Sequence, residues 1–452
     1  MIDIIRLEPL KFYEKLTEVN LDSVIGLLEY SYKNRETIYA QLRKNPEDFY
    51  VKEVISDEFI QKCNSSDGSY FLYTLEKREL TTFESIRYVS KMLKIHARNI
   101  SYLGLKDKDA VTEQYIVVRS EKKDLPTNLE TDRIRLRLVG RCTKGLSKDY
   151  LEGNFFRIVL RDVNDANALI KIEKFKELVD KHGFANFYGY QRFGTTRPIN
   201  HKVGLHLLRE EYEYAVKTLI GVPGIEEDST KAEIKMKYLE SDNLDVLSNI
   251  NLGEYEKRVV RYLSKNRHDY KGAIMKLHPS LVRLFIEAFS CYIFNLIVSE
   301  IIRERGIERI AELDEDGFFV VPLDKYFAQV EAVAKINEKT SKVKNLKNEI
   351  KERKAAPAVA IPGYLTEQLI TKETKRILDL FKVDTSRFFM KERPEASYPG
   401  QYRTIISYIK EFYFSKLSND AISLEFFLPR GSFATVLLRE LVEQKTTQKL
   451  QV

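Results

Sequence analysis

The run Gly104-Leu105-Lys106-Asp107-Lys108-Asp109-Ala110-Val111-Thr112-Glu113-Gln114 sets two aspartates and two lysines in a loop that opens on a glycine. The segments on either side, Ile100 to Leu103 and Tyr115 to Arg119, read as strands, so the loop is expected to hang from a sheet. A carboxylate fixed in that way suits nucleophilic attack or proton transfer, because loops held by a rigid scaffold carry most catalytic groups. A solvated turn has the same composition. A second run, Asn186-Phe187-Tyr188-Gly189-Tyr190-Gln191-Arg192-Phe193-Gly194, interleaves aromatic rings with Asn, Gln and Arg. Asn and Gln can read base edges, Arg can clamp phosphate, and a ring can stack on a base at about 1–3 kcal/mol. An aromatic-rich turn packing a domain edge fits the same residues.

The elements that must position these groups follow from the pattern of the chain. Asp48 to Val54 alternates apolar and polar residues and predicts a strand after a turn at Asn45-Pro46. Tyr70 to Leu75 predicts a second. Thr81 and Glu84 have capping-box spacing, and Phe83, Ile86, Val89, Met92 and Leu93 recur at helical intervals. Arg133 to Leu138 alternates strictly, apolar side inward; its three arginines either keep a sheet soluble or face a polyanion. Phe156 to Leu160 predicts a further strand. It leads into a helix from about Asp165 to His182 with Ile170, Phe175, Leu178 and Val179 inward and Gly183 as a left-handed cap.

From about Leu205 to Lys382 helical patterns dominate. In Pro279 to Arg303, for example, Leu281, Leu284, Phe285, Phe289, Ile293 and Phe294 share one broad face of core type. Leu424 to Leu428 returns to strand alternation, before Pro429-Arg430-Gly431 and a helix over about Thr435 to Glu443. The polar tail from Gln444 is expected to fray. The fold class is α+β, one domain built from both chain ends with a helical domain inserted between.

With 452 residues, 43% of them hydrophobic, the chain can build two or three cored domains. Its net charge of +7 is small for that length. The distribution says more: Lys335 to Lys354 is dominated by lysine and arginine, and forms either a solvated helix face or a contact to phosphates. No apolar run is read as approaching the roughly 18 residues of a membrane span. The N-terminus is too acidic and broken for a signal peptide. Cys63, Cys142 and Cys291 form no metal or redox spacing, so a reduced, cytoplasmic protein is expected. Phosphate-loop, dinucleotide-binding, zinc-protease and serine-hydrolase motifs are all missing. His201 and His206 are five apart and do not stack on one helix face. No metal and no cofactor is expected.

Gly104 to Gln114 resembles the active-site motif of the TruD family of tRNA pseudouridine synthases, in its archaeal form. Other stretches resemble that family in the same order. They are Asn45-Pro46-Glu47-Asp48-Phe49, Leu93-Lys94-Ile95-His96-Ala97-Arg98, Gly153-Asn154-Phe155-Phe156-Arg157, the Asn186 to Gly194 run, and Leu428-Pro429-Arg430-Gly431-Ser432-Phe433-Ala434-Thr435. The resemblance implies a pseudouridine synthase catalytic domain with a mixed or antiparallel sheet over residues 1–204 and 386–452. A mainly helical TRUD insertion domain over 205–385, including the lysine-rich segment, would supply an RNA-binding wall. Asp107 is implied as the catalytic aspartate, while Asp109 stands where relatives often carry histidine. Tyr188 matches a position, commonly Phe, that packs against the target base, and Arg43 stands where relatives carry a basic residue, often Lys. Lys106, Asn186, Gln191, Arg192, Phe193 and Arg430 complete the candidates for base and RNA contact.

The implied reaction breaks the N1–C1′ bond of a uridine, turns the base and rejoins it through C5. As an isomerisation it needs no redox or energy cofactor. The carboxylate attacks C1′ or abstracts the C2′ proton, and a cation such as Arg43, Lys106 or Arg192 would complement its charge. Asn186 and backbone amides would hold the detached uracil. The target nucleotide must leave its stack, at a few kcal/mol. The expected partner is tRNA, at position 13 or at position 35 of tRNA(Tyr) precursors, or another structured RNA. No membrane partner is expected. Competing readings are a non-catalytic RNA-binding or tRNA-folding protein that keeps the fold, and a scaffold whose basic segment contacts acidic proteins.

Overall fold

Period-two alternation of apolar and polar residues builds the largest element of the structure, a nine-stranded sheet. The structure is a computed structural model and describes residues 4–65, 67–225, 227–312, 318–329, 334–335 and 348–443. The tail expected to fray and most of the lysine-rich segment, 336–347, lie outside the described residues. The chain forms two compact units. The first comprises Asn34–Phe184, Leu323–Val330 and Ser407–Val452; the second comprises Met1–Lys33, Ala185–Pro322 and Glu331–Ile406.

The sheet belongs to the first unit. Its strands are β1 (Phe49–Ile55), β2 (Tyr70–Arg78), β3 (Ile100–Tyr102), β4 (Val111–Arg119), β5 (Asn128–Glu130), β6 (Ile134–Cys142), β7 (Leu151–Leu160), β8 (Lys410–Lys416) and β9 (Ile422–Pro429). They lie in the order β8-β9-β7-β1-β4-β2-β6-β5, with β3 beside β4. Among these strands β1 and β4 run parallel and the other pairs antiparallel. β2 runs three residues past its expected end at Leu75, carrying Lys77 onto the inward face. On β6 Ile134 and Leu136 point inward as read, and Arg135 is tied to Glu76 and Glu130.

Thr81 caps the Thr82–Leu93 helix: its hydroxyl accepts from the Glu84 amide, and the Glu84 carboxylate accepts from the Thr81 amide at 2.8 Å. Ile86, Val89 and Leu93 pack on Phe71, Tyr73, Leu75, Ile116 and Val118 of β2 and β4. Phe83, the first of that helical series, is instead 59% exposed and meets Tyr102 edge-on. In the Ala168–His182 helix the inward residues are Ile172, Phe175 and Val179. Ile170, expected inward, is exposed, because the buried stripe runs through Ala168, Ile172, Phe175 and Val179 and Ile170 falls outside it. Gly183 takes a positive φ of 70° but an extended ψ of −163°, so it ends the helix without the left-handed cap.

Ile55, Phe59, Leu72 and Val117 cluster on the opposite face of the sheet with Cys63 and Cys142. These two cysteines, 79 residues apart in sequence, form a disulfide, which corrects the expectation of three reduced thiols. Cys63 ends the Asp57–Lys62 helix and the next residue, Asn64, bridges Arg141 of β6, which brings Cys63 to Cys142; sequence spacing carries no trace of it. Cys291 is the free thiol, and it is buried.

The second unit is mainly helical. Its central helix, Pro279–Arg305, packs on Asn200–Leu208. A Cβ on Gly204 would stand 2.0 Å from the carbonyl oxygen of Phe285, so glycine permits this crossing. Contrary to the reading of the chain, Pro279–Arg305 is long and apolar enough to cross a membrane by length and composition. In the protein 78% of its most apolar window is buried, as in a core helix. The stretch expected to be helical also supplies strands to a four-stranded antiparallel sheet, in the order Ala334–Lys335, Phe318–Pro322, Ala355–Ile361, Gln401–Thr404. Every residue of Ala355–Ile361 is buried, so no alternation marks it as a strand.

Candidate active site

Loop 103–110 joins β3 to the start of β4, and the two flanking strands share one edge of β4. β1 pairs with Val111–Glu113, while β3 pairs with Ile116–Val118. Between them the Tyr115 amide donates to Glu53 Oε2 at 2.9 Å. The sheet face beneath the loop carries polar residues where the alternation calls for apolar ones. Lys77 of β2 lies opposite Thr112 of β4, and Glu53 of β1 lies opposite Asn154 of β7. Lys77, Thr112, Gln114 and Glu53 are all at most 1% exposed.

Lys77 and Gln114 hold the loop's main chain, and Glu53 holds the Lys106 side chain. Gln114 Nε2 donates to the Gly104 carbonyl at 3.4 Å, and its Oε1 accepts from the Thr82 hydroxyl at 3.3 Å. That hydroxyl in turn accepts from the Lys106 amide at 2.9 Å. The Lys106 ammonium reaches down to Glu53 Oε1 at 2.8 Å and Asn154 Oδ1 at 2.9 Å. Lys77 Nζ donates to the main-chain carbonyl of Asp107. Burial, opposed first by the Asp107 charge, pulls the Lys77 ammonium down to about 8.

The Asp107 side chain is left turned outward, 33% exposed. Its Oδ2 accepts from Arg43 Nη2 at 3.0 Å. Arg43 is nearly buried, and its guanidinium lies 3.8 Å from the centre of the Phe49 ring. It does this with a φ of 55°, a left-handed conformation that costs a non-glycine residue roughly 1–2 kcal/mol. The site therefore presents an accessible carboxylate, oriented by a fixed cation, on a loop bolted to a sheet. That arrangement suits attack on an electrophilic carbon or removal of a proton.

Of the candidates read from the chain, the structure brings Arg43 to the Asp107 carboxylate. Lys106 supports the loop from below, with its ammonium on Glu53 and Asn154. Asp109 is exposed on the same loop. Arg430 follows β9, its guanidinium set among the carbonyls of Gln329 at 3.2 Å and Lys148 and Asp149 at 3.5 Å.

The Asn186 to Gly194 run belongs to the second unit and is packed inward. Asn186 Nδ2 donates to the carbonyl and hydroxyl oxygens of Thr404. Arg403 donates to Asn186 O at 3.0 Å and Asn186 Oδ1 at 2.8 Å, and its guanidinium lies 3.9 Å from the Tyr188 ring centre. The Tyr188 amide donates to Asn295 Oδ1, its hydroxyl accepts from Gln401, and burial raises its phenol far above the usual range. Phe193 is wholly buried, edge-on to His201. Arg192 pairs with Glu287 at 3.1 Å. Gln191 alone in the run is exposed.

Lys77, Glu53 and Arg403 carry roles that no motif announced. For Lys77 and Glu53 a signal existed: each sits on the inward phase of a strand, after Phe71, Tyr73 and Leu75 or after Phe49 and Val51. A polar residue there has to be bonded to something. Among the described residues no group of three or more His, Cys, Asp or Glu side chains is arranged to hold a metal.

A model of the tRNA pseudouridine synthase D (TruD) family matches residues 25–441 of the chain. The probable tRNA pseudouridine synthase D of Methanosarcina barkeri is 30% identical over 441 residues, 93% of this chain and 97% of that protein. Its counterpart from Pyrococcus furiosus is 32% identical over 414 residues, 90% of this chain and 96% of that one. The crystal structure of the putative tRNA pseudouridine synthase D from Methanosarcina mazei aligns with a TM-score of 0.75 at 27% identity, covering 92% and 96% of the two chains. With a family match that spans the Asp107 loop and nearly all of the fold, the chain belongs to the tRNA pseudouridine synthase D family, a family of isomerases.

Proposed function

We propose that the protein isomerises a uridine of tRNA to pseudouridine, with position 13 as the preferred target and Asp107 as the catalytic residue. The observation that carries this reading is the accessible Asp107 carboxylate, paired with Arg43 on a loop whose main chain is tied to the sheet. Asp107 acts at the sugar, either by attacking C1′ or by taking the C2′ proton, while the N1–C1′ bond breaks. The uracil turns, a C5–C1′ bond forms, the C5 proton leaves and N1 gains one, so atoms and charge balance without a co-reactant. Arg43 keeps the carboxylate aimed.

Reaching C1′ and C5 requires the nucleotide to leave its stack, at a few kcal/mol. Gln191, Arg192 and Arg430 supply polar contact to the RNA in this reading. Tyr188 stacks on the base only after its buried ring is uncovered. The functional division into a catalytic part, 1–204 and 386–452, and an RNA-binding insertion, 205–385, follows the same reading, as does action in the cytoplasm.

The test is tritium release from unmodified tRNA labelled at C5 of uridine, with wild type beside Asp107→Asn. That hydrogen leaves only when C5 becomes the attachment point. Release by the wild type, abolished in the variant and in a tRNA carrying U13→C, supports the whole proposal. Release that survives U13→C moves the target, with position 35 of tRNA(Tyr) precursor next to be tried. Tight tRNA binding with no release from any tRNA would replace it with a non-catalytic RNA-binding role.

A further inference from the structure

We infer that Lys77 is a positioning residue for Asp107: its buried ammonium grips the Asp107 carbonyl and so sets the direction in which the carboxylate points. The inference rests on the assignment of Asp107 as the catalytic group. Lys77 lies on the inward phase of β2, in line with Phe71, Tyr73 and Leu75, where a Met or Leu would complete the apolar face. Instead the position holds a cation with no exposed surface. A buried ammonium is costly unless its bonds do something an apolar side chain would not.

The bond it makes is specific. The Lys77 ammonium meets the main-chain oxygen of Asp107 and leaves the carboxylate to Arg43. Fixing that carbonyl fixes the peptide plane at Asp107, and with it the Cα–Cβ direction. The neighbouring cation has a different task, since the Lys106 ammonium is taken by Glu53 and Asn154. The charged groups that face Lys77 are Asp107, Lys106 and Asp109 of the loop and Glu84 of the Thr82–Leu93 helix. Across the sheet its neighbours are uncharged, Thr112 on β4 and Ile134 on β6. Two cations thus hold one aspartate, one by its main chain and one by its side chain.

The experiment compares full-length Lys77→Met, which keeps the volume, with Lys77→Gln, which keeps a donor. Single-turnover tritium release, tRNA affinity and thermal melting are measured for each. The expected result is a loss of about a hundredfold in the single-turnover rate of Lys77→Met, the scale of a misplaced catalytic group. Its tRNA affinity should stay within about twofold of wild type, and Lys77→Gln should recover part of the rate. A rate within about threefold of wild type in Lys77→Met overturns the inference. So does loss of the folded state in both variants, since the lysine would then serve the sheet and not the aspartate. Asp107→Asn run in parallel separates the two levels. If that variant is inactive while Lys77→Met is fully active, only the role of Lys77 falls; if it stays active, the assignment of Asp107 falls and takes this inference with it.

Discussion

The Asp107 loop and the Asn186 to Gly194 run are both short, glycine-punctuated and rich in polar residues, yet the fold uses them in opposite ways. Around the loop, Lys77, Glu53 and Gln114 are buried so that the Asp107 carboxylate can stand outside, 33% exposed. In the run the side chains that looked most like reagents are themselves buried: Asn186 is 6% exposed, Tyr188 2% and Phe193 not at all. Support and reagent are separate residues in the first case. In the second the conspicuous residues are the support. Residue type alone does not say which of the two a polar group is; the direction of its bonds does. Lys77 and Gln114 bond to a main chain that carries something else, whereas Asn186 and Arg403 bond to each other.

Two substitutions should show opposite signatures. Asp107→Asn is expected to lower tritium release by at least about a thousandfold, the scale on which removal of a catalytic group is felt. The melting temperature should stay unchanged, because a partly exposed carboxylate with one ion pair contributes little to stability. Arg403→Met is expected to do the reverse. It strips donors from Asn186 O and Asn186 Oδ1, leaving those buried acceptors unpaired, at a cost of about 3 kcal/mol in a denaturant titration. The rate of the molecules that remain folded should fall less than about tenfold. An intact melting profile with a collapsed rate for Arg403→Met would show that the run acts on the substrate directly, and the contrast drawn above would be lost.

How much of this was legible before the structure depends on what kind of contact made each feature. Strands β1 and β6 and the Thr81–Glu84 cap declare themselves locally, through period-two alternation and a three-residue spacing, and they appear as read. Asp107 and Arg43 are legible through a charged loop between strands and a family resemblance. Ala355–Ile361 is not, since a strand covered on both faces has nothing to alternate. Nor is the Cys63–Cys142 bond, which exists because the bridge between Asn64 and Arg141 sets the end of a short helix beside a strand distant in sequence. Arg403 lies in the four-residue strand Gln401–Thr404 with nothing beside it to mark it. Lys77 is the intermediate case. Its inward phase was visible, but its partner, a main-chain oxygen thirty residues on, was not.

The two units should also part company in acid. His201 and His206, both in the second unit, are pulled by burial to about 3 and about 4. Unfolded, each takes up a proton near 6.5. Between those values the unfolded chain binds more protons than the folded one, so stability is complete above about pH 6.5 and is lost as the pH falls toward 4. Alkaline sensitivity is shared: Lys77 in the first unit is lowered to about 8 and Lys202 in the second to about 7, so stability rises as the pH climbs from there toward 10.5. Urea titrations from pH 7 to 4.5 should therefore show a falling midpoint whose slope drops by about half in a His206→Gln variant, His201 carrying the rest. A slope that the substitution leaves untouched would place the acid sensitivity elsewhere.

The smallest effect is expected at Gln191, and it probes the contrast most finely. Its side chain is exposed between Tyr190 and Arg192, in a run whose other members are fully or partly buried. Truncating an exposed residue that packs against nothing essential changes stability by less than about 0.5 kcal/mol. Gln191→Ala should accordingly melt like the wild type. If the side chain makes a single solvent-exposed contact to the RNA, its loss should weaken tRNA binding about three- to tenfold, the range of one neutral hydrogen bond, and leave the single-turnover rate alone. A weakening of a hundredfold would mean that Gln191 reads a base edge in a desolvated setting, where an orphaned partner raises the cost. An unchanged affinity would remove Gln191 from the RNA contacts and leave Arg192 as the run's remaining candidate.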